Sequence, residues 1–165
     1  MNTSKIVWVK NLLDSRHLLY QNGEQVGFLV NSAFKMYFTA ELNGERIFLN
    51  PQKFLSSKFY IFNSAKEKIG KVSINFWKLR AKISFSESEK FDFAFTNIFH
   101  LNWIVTGENN SVQYTSSITN GSFEFQNFED KRLALTGLAI QSYLAQNGYS
   151  IFTLFFWAVV FWAII

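Results

Sequence analysis

Phe34-Lys-Met-Tyr-Phe-Thr-Ala-Glu-Leu42, then Asn43-Gly44, then Glu45-Arg-Ile-Phe-Leu49 is the stretch from which the fold is read. In its first arm Phe34, Met36, Phe38, Ala40 and Leu42 alternate with Lys35, Tyr37, Thr39 and Glu41, the period of a half-buried strand. Asn-Gly suits a two-residue type I′ turn, which needs positive φ at both central positions. With the turn placed there, Leu42 faces Glu45, Glu41 faces Arg46 as an opposite-charge pair, Ala40 faces Ile47 and Phe38 faces Leu49. The apolar face therefore continues across the turn, and polarity and turn chemistry predict the same hairpin.

Asn22-Gly23 and Asn120-Gly121 carry the same signal, the latter predicted to join a strand at Val112–Thr119 to one at Ser122–Gln126. Similar β-branched and aromatic runs at Ile6–Lys10, Lys58–Asn63, Lys68–Ile74, Lys78–Ser86, Phe91–Thr96 and His100–Thr106 bring the count to about a dozen. A twisted sheet of so many strands seldom stays open, and closure removes its edges. The expected class is mainly β: a closed barrel of about twelve mostly antiparallel strands.

Beyond Asn127 the periodicity changes. Residues from about 129 to 146 are predicted to be helical, with Glu129 and Asp130 in the first turn and Asn147-Gly148 as the C-cap. Only a narrow stripe of Thr136, Gly137, Gln141 and Ser142 interrupts its apolar surface, so it suits a barrel interior. Residues 1–147 are thus expected to form one barrel domain around a central helix. The last 33 residues carry no charge, and in Ile151–Ile165 Thr153 is the one polar residue. A helix over 149–165 is about 25 Å long, the short end of what spans a hydrocarbon core of roughly 30 Å. It is expected to be a single-pass C-terminal membrane anchor, with Tyr149, Phe152, Phe155, Trp157, Phe161 and Trp162 as anchoring residues. Lys5 and Lys10 flank only Ile6–Val9, too brief for a signal-peptide core, which places the β-domain in the cytoplasm as an expectation.

Composition narrows the chemistry. The absence of cysteine excludes disulfides, thiolate metal sites and cysteine nucleophiles, and His17 and His100 are the two histidines. No phosphate loop, dinucleotide fingerprint or metal-ligand spacing occurs, so no cofactor, metal or catalytic residue is expected. A formal charge of +4 falls short of a nucleic-acid binder's footprint. The strongest candidate site is a strand on which Lys78, Arg80 and Lys82 alternate with Leu79, Ala81 and Ile83, widened by Lys71, with Lys66 and Lys68 beside it, on the preceding strand. Such cations attract anionic lipid headgroups, although a solvated outer face explains them more simply. Glu87, Glu89 and Asp92 lack the ligand spacing of a calcium loop. Asp14, Ser15 and His17 supply the residue types of a hydrolytic triad without its geometry. His100 is expected on a strand, and Phe91, Phe93 and Phe95 recur at period two as core.

The dozen strands, hairpins such as Tyr60-Ile-Phe-Asn-Ser-Ala-Lys-Glu-Lys-Ile-Gly70, and the acidic-to-apolar helix Phe128-Glu-Asp-Lys-Arg-Leu-Ala-Leu-Thr-Gly-Leu-Ala-Ile-Gln-Ser-Tyr-Leu-Ala145 together carry a resemblance. Over residues 5 to 146 the pattern resembles the tubby C-terminal, phospholipid scramblase and LURP-one-related superfamily. The resemblance implies a twelve-stranded barrel around a central helix and work close to membranes: phosphoinositide binding in tubby-like members, lipid translocation or membrane signalling in scramblase-like ones. The chain lacks the lipidated cysteine cluster and a calcium loop, and its apolar tail is additional to the pattern. The expected function is a membrane-associated, non-catalytic binding or scaffold module with membrane lipids as partners. The alternative is a soluble barrel for a small apolar ligand, with 149–165 folded into its lumen and the Leu133–Ala145 helix outside.

Overall fold

Alternation of inward apolar and outward polar residues produces twelve strands in the computed structural model. It describes residues 4–10, 16–32, 37–53, 56–97, 99–125 and 131–164, with the segment from 148 onward as backbone only. The strands are β1 (Ser4–Lys10), β2 (Arg16–Gln21), β3 (Glu24–Ser32), β4 (Tyr37–Leu42), β5 (Glu45–Pro51), β6 (Lys58–Asn63), β7 (Lys68–Asn75), β8 (Arg80–Ser84), β9 (Lys90–Phe95), β10 (Asn102–Thr106), β11 (Ser111–Ser116) and β12 (Asn120–Phe125). Each pairs antiparallel with its sequence neighbours, and β1 closes the barrel against β12 from Ser4↔Phe125 to Val9↔Asn120.

The deciding hairpin has its expected register, with Phe38↔Leu49, Ala40↔Ile47, Glu41↔Arg46 and Leu42↔Glu45. Asn43 and Gly44 both take positive φ, 48° and 80°, as do Asn22 and Gly23, 53° and 86°. Arg46 Nε donates to Glu41 Oε2 at 2.6 Å across the first of these hairpins. Residues 33–36, which include Phe34 and Met36, lie outside the described residues.

Asn120-Gly121 does not form the turn expected of it. The chain reverses at 117–119, and both residues belong to β12, where Gly121 pairs with Ser116 and Trp8. The glycine is required by packing: a Cβ there would come within 2.4 Å of the Trp8 indole and 2.3 Å of the Thr115 carbonyl oxygen. The strand expected at Lys78–Ser86 is shorter at both ends and that at His100–Thr106 at its start, and Lys78 and His100 lie in the connections preceding β8 and β10.

Successive connections fall at opposite ends. One end, the hairpin end, holds Asn22-Gly23, Asn43-Gly44 and the turns at 64–67, 85–89 and 107–110. The other holds the turns at 76–79, 96–101 and 117–119. Eight strands leave an interior that side chains just fill, whereas twelve leave room for a helix roughly 10 Å across.

That helix, α1 (Lys131–Ile164), starts at the hairpin end, where the Arg132 guanidinium lies over the Phe85 ring. Every residue from Leu133 to Ile140 is buried, which on a helix means burial on all sides. Tyr114 on β11 donates to the Ala134 carbonyl at 2.9 Å, and the Tyr143 ring packs edge-on against Phe59 at 4.7 Å. Exposure returns from Ala145 to Asn147, where α1 leaves the barrel at the end opposite its start. Leu133–Leu144 therefore occupy the interior, the position that the alternative arrangement gave to 149–165.

The expected C-cap is also corrected. α1 continues through Asn147-Gly148 as one helix of 34 residues, and Asn147 Nδ2 donates to the Tyr143 carbonyl one turn back at 2.9 Å. A helical glycine costs only about 1 kcal/mol, too little to stop a helix already held by so many buried residues. Residues 126–130, with the expected acidic first turn, lie outside the described residues.

Candidate functional site

The end at which α1 leaves the barrel gathers the unusual features. A cavity of about 400 Å³ opens there, lined among others by Trp8, His17, Phe95, His100, Ser142 and Leu144. Alternation on β2 turns His17 inward, where it is 3% exposed and meets the Trp8 ring edge-on at 5.1 Å. Burial, reinforced by the nearby Lys10 cation, lowers its pKa from 6.5 to about 4. The imidazole is therefore neutral near pH 7. Among the described residues, His17 Nδ1, Ser142 Oγ and Trp8 Nε1 are buried without a hydrogen-bond partner. His17 and Ser142 thus share a cavity without a bond between them, and Asp14 and Ser15 lie outside the described residues. The cavity combines apolar walls with a few polar atoms, the kind of lining that small-molecule sites share. Asn31 on β3 bonds to Gln146 of α1 beside it.

His100 sits in the β9–β10 connection at a φ of 55°, its ring 4.7 Å from Phe95, rather than on a strand. Phe91 and Phe93 are core as expected, and Phe95 packs partly against it. Glu87 and Glu89 lie in the turn at the hairpin end while Asp92 pairs with Lys82 across β8 and β9. Among the described residues no group of His, Asp or Glu could hold a metal ion.

The four expected headgroup cations are all exposed but do not form one row. Arg80 and Lys82 share the outer face of β8, Lys78 lies in the turn before it, and Lys71 pairs with Ser84 at the opposite end of β8 from Arg80. Lys78 and Arg80 therefore belong to the helix-exit end, Lys82 and Lys71 to the barrel wall. Sequence reading missed this division, and it missed His17 as a buried group.

Tyr149, Phe152, Phe155, Trp157, Phe161 and Trp162 lie on α1, and their side chains are outside the described residues. Among the described residues no helix is long and apolar enough to cross a membrane.

No family model matches the chain, and no curated protein matches it. Among solved structures, an X-ray structure of a protein from Arabidopsis thaliana is similar in fold, with a TM-score of 0.57 and 12% sequence identity over 84% of this chain and 89% of that one. The chain is thus a closed twelve-stranded barrel with a helix in it, distantly similar in fold to that plant protein.

Proposed function

We propose that the protein is a membrane-associated, non-catalytic binding or scaffold module of the tubby, scramblase and LURP-one-related kind, held at a bilayer by its residues 149–165 with the barrel in the cytoplasm. One observation carries the reading. The barrel interior is already filled by Leu133–Leu144, yet the same helix continues without a break into a segment with no charge. Apolar surface that has no place in the core gains by leaving water, and a bilayer accepts it in helical form. Lys78, Arg80, Lys82 and Lys71 are the cations offered to anionic headgroups. The mouth cavity favours a second reading, a site for a small apolar ligand at the point where the helix emerges.

Deleting residues 149–165 tests the proposal. The shortened chain should leave the membrane fraction, stay in solution without detergent and keep the β-rich circular dichroism of the full chain. Aggregation with loss of that signal would show that the segment belongs to the barrel's own core.

A further inference from the structure

The surface of the barrel is not the same at its two ends. Seven large hydrophobic residues are exposed among the described residues, and six of them, Val9, Tyr37, Trp77, Phe99, Leu101 and Ile118, lie at the helix-exit end. Trp77, Phe99 and Ile118 are 83%, 72% and 82% exposed, and they occupy three successive connections around the rim.

The connections that present them are internally fixed. Asn75 Oδ1 accepts from the Lys78 amide at 3.1 Å, and Asn97 Oδ1 accepts from the amides of Leu101 and Asn102 at 3.0 and 3.1 Å. In the third, Ser117 Oγ bonds to Asn120 Oδ1 at 2.9 Å. Leu79 and His100 adopt positive φ, 48° and 55°, in the first two, a conformation that is strained for a residue as bulky as leucine. Strain of this kind persists where the fold holds a segment out.

Charge follows the same axis. The exposed cations Lys53, Lys58, Lys78 and Arg80 lie at the helix-exit end, whereas the exposed Lys5, Arg46, Lys66, Lys68 and Lys90 lie toward the hairpin end among the carboxylates. The described carboxylates lie toward the hairpin end, with Asp92 partway along β9. Lys131 and Arg132, which precede the apolar tail in sequence, are a barrel's length from it, at the start of α1.

We propose that the helix-exit rim is a membrane-contacting surface that seats on an anionic leaflet, with the side chains of Trp77, Phe99 and Ile118 entering the headgroup boundary and Lys53, Lys58, Lys78 and Arg80 facing the lipid phosphates. The inference rests on the membrane-associated reading above and adds to it the orientation of the barrel. A bilayer is the occupant because the rim surrounds the exit of a helix that leads into an uncharged apolar run. Apolar tips, two of them aromatic, with cations on the same rim also match the boundary between headgroups and acyl chains.

The chain has no cysteine, so single labels report one position each. Trp77→Cys, Phe99→Cys and Ile118→Cys in the full chain, with Glu89→Cys and Glu108→Cys at the opposite end as controls, are coupled to a polarity-sensitive fluorophore. They are then bound to phosphatidylcholine vesicles containing phosphatidylserine and a bromine-quenching lipid. The three rim labels should shift to the blue and be quenched several-fold more than the two controls. Vesicle-bound protein whose rim labels stay as wet as the controls would overturn the rim assignment while leaving the anchor intact, and would turn attention to a protein partner. A full chain that does not associate with vesicles would overturn both. Rim quenching that persists undiminished without phosphatidylserine would overturn the anionic requirement.

Discussion

His17 is a histidine that the fold keeps neutral, and the cost of doing so appears as pH dependence. Its pKa is about 4 in the folded chain against 6.5 in the absence of structure. Between those values the unfolded chain binds the proton and the folded one does not, so stability rises with pH through that window. The contribution is complete above pH 6.5 and is lost as the pH falls toward 4. A shift of this size corresponds to about 3 kcal/mol, a large part of a typical domain's stability. His17→Phe keeps the aromatic contact with Trp8 and removes the proton site. Thermal melts from pH 7 down to pH 4 should therefore fall more steeply for the parent than for the variant, and parallel curves would show that the imidazole does not titrate with unfolding. The sequence displayed His17 only beside Asp14 and Ser15, a grouping of residue types. Its burial follows from the alternation Arg16-His17-Leu18-Leu19, but which face points inward depends on pairing with Lys10 and Leu29, which is long-range information.

At the scale of elements, the hairpins that were legible are those whose turn signal and polarity pattern agree. Asn43-Gly44 lies between two arms that both alternate, so register and turn support each other. At Asn120-Gly121 the turn signal stood alone. The glycine answers to the Trp8 ring instead, from a strand more than a hundred residues away in sequence. Helix α1 was legible in its apolar surface but not in its end, because a C-cap signal only lowers local helix stability and cannot outweigh a buried rod. Gly137 shows how closely that rod fits. A Cβ there would lie 2.3 Å from Tyr114 Oη and 2.8 Å from Val105 Cγ2. Gly137→Ala gains about 1 kcal/mol of helix propensity, whereas overpacking a full core costs about 1–3 kcal/mol. Tyr114 cannot simply swing away, since its hydroxyl is bonded to the Ala134 carbonyl. The variant should be destabilised in denaturant melts. Adding Tyr114→Phe should cost less in the Gly137→Ala background than in the parent, a coupling that additive losses would refute.

The whole molecule has a direction: polar turns and carboxylates, with cations among them, at one end; apolar tips, cations with no described carboxylate beside them and the emerging helix at the other. This was encoded in the sequence, because consecutive connections of an antiparallel barrel alternate between ends and the polar ones recur at every second position. It was not legible while the cations were grouped by strand face alone. Lys78, Arg80 and Lys82 then looked like one patch, whereas distance from the rim separates them. Lys82 is two strand residues below Arg80, about 7 Å, and Lys71, level with Ser84, is about 13 Å below it. The field of a charged leaflet decays over a Debye length of about 8–10 Å. If the rim rests on the leaflet, Lys78 and Arg80 each contribute about 1 kcal/mol to binding, and the wall pair together contributes less than that. In the chain lacking 149–165, once melting shows it folded, Lys78→Ser with Arg80→Ser should weaken partitioning onto phosphatidylserine-containing vesicles by roughly 30-fold at low salt. Lys71→Ser with Lys82→Ser should weaken it by less than about 5-fold, and added salt should shrink both effects. Both pairs remove the same net charge, so the comparison reads position and not total charge. Equal losses from the two would mean that the barrel lies on its side, with the wall of β7 and β8 against the lipid and the aromatic rim turned elsewhere.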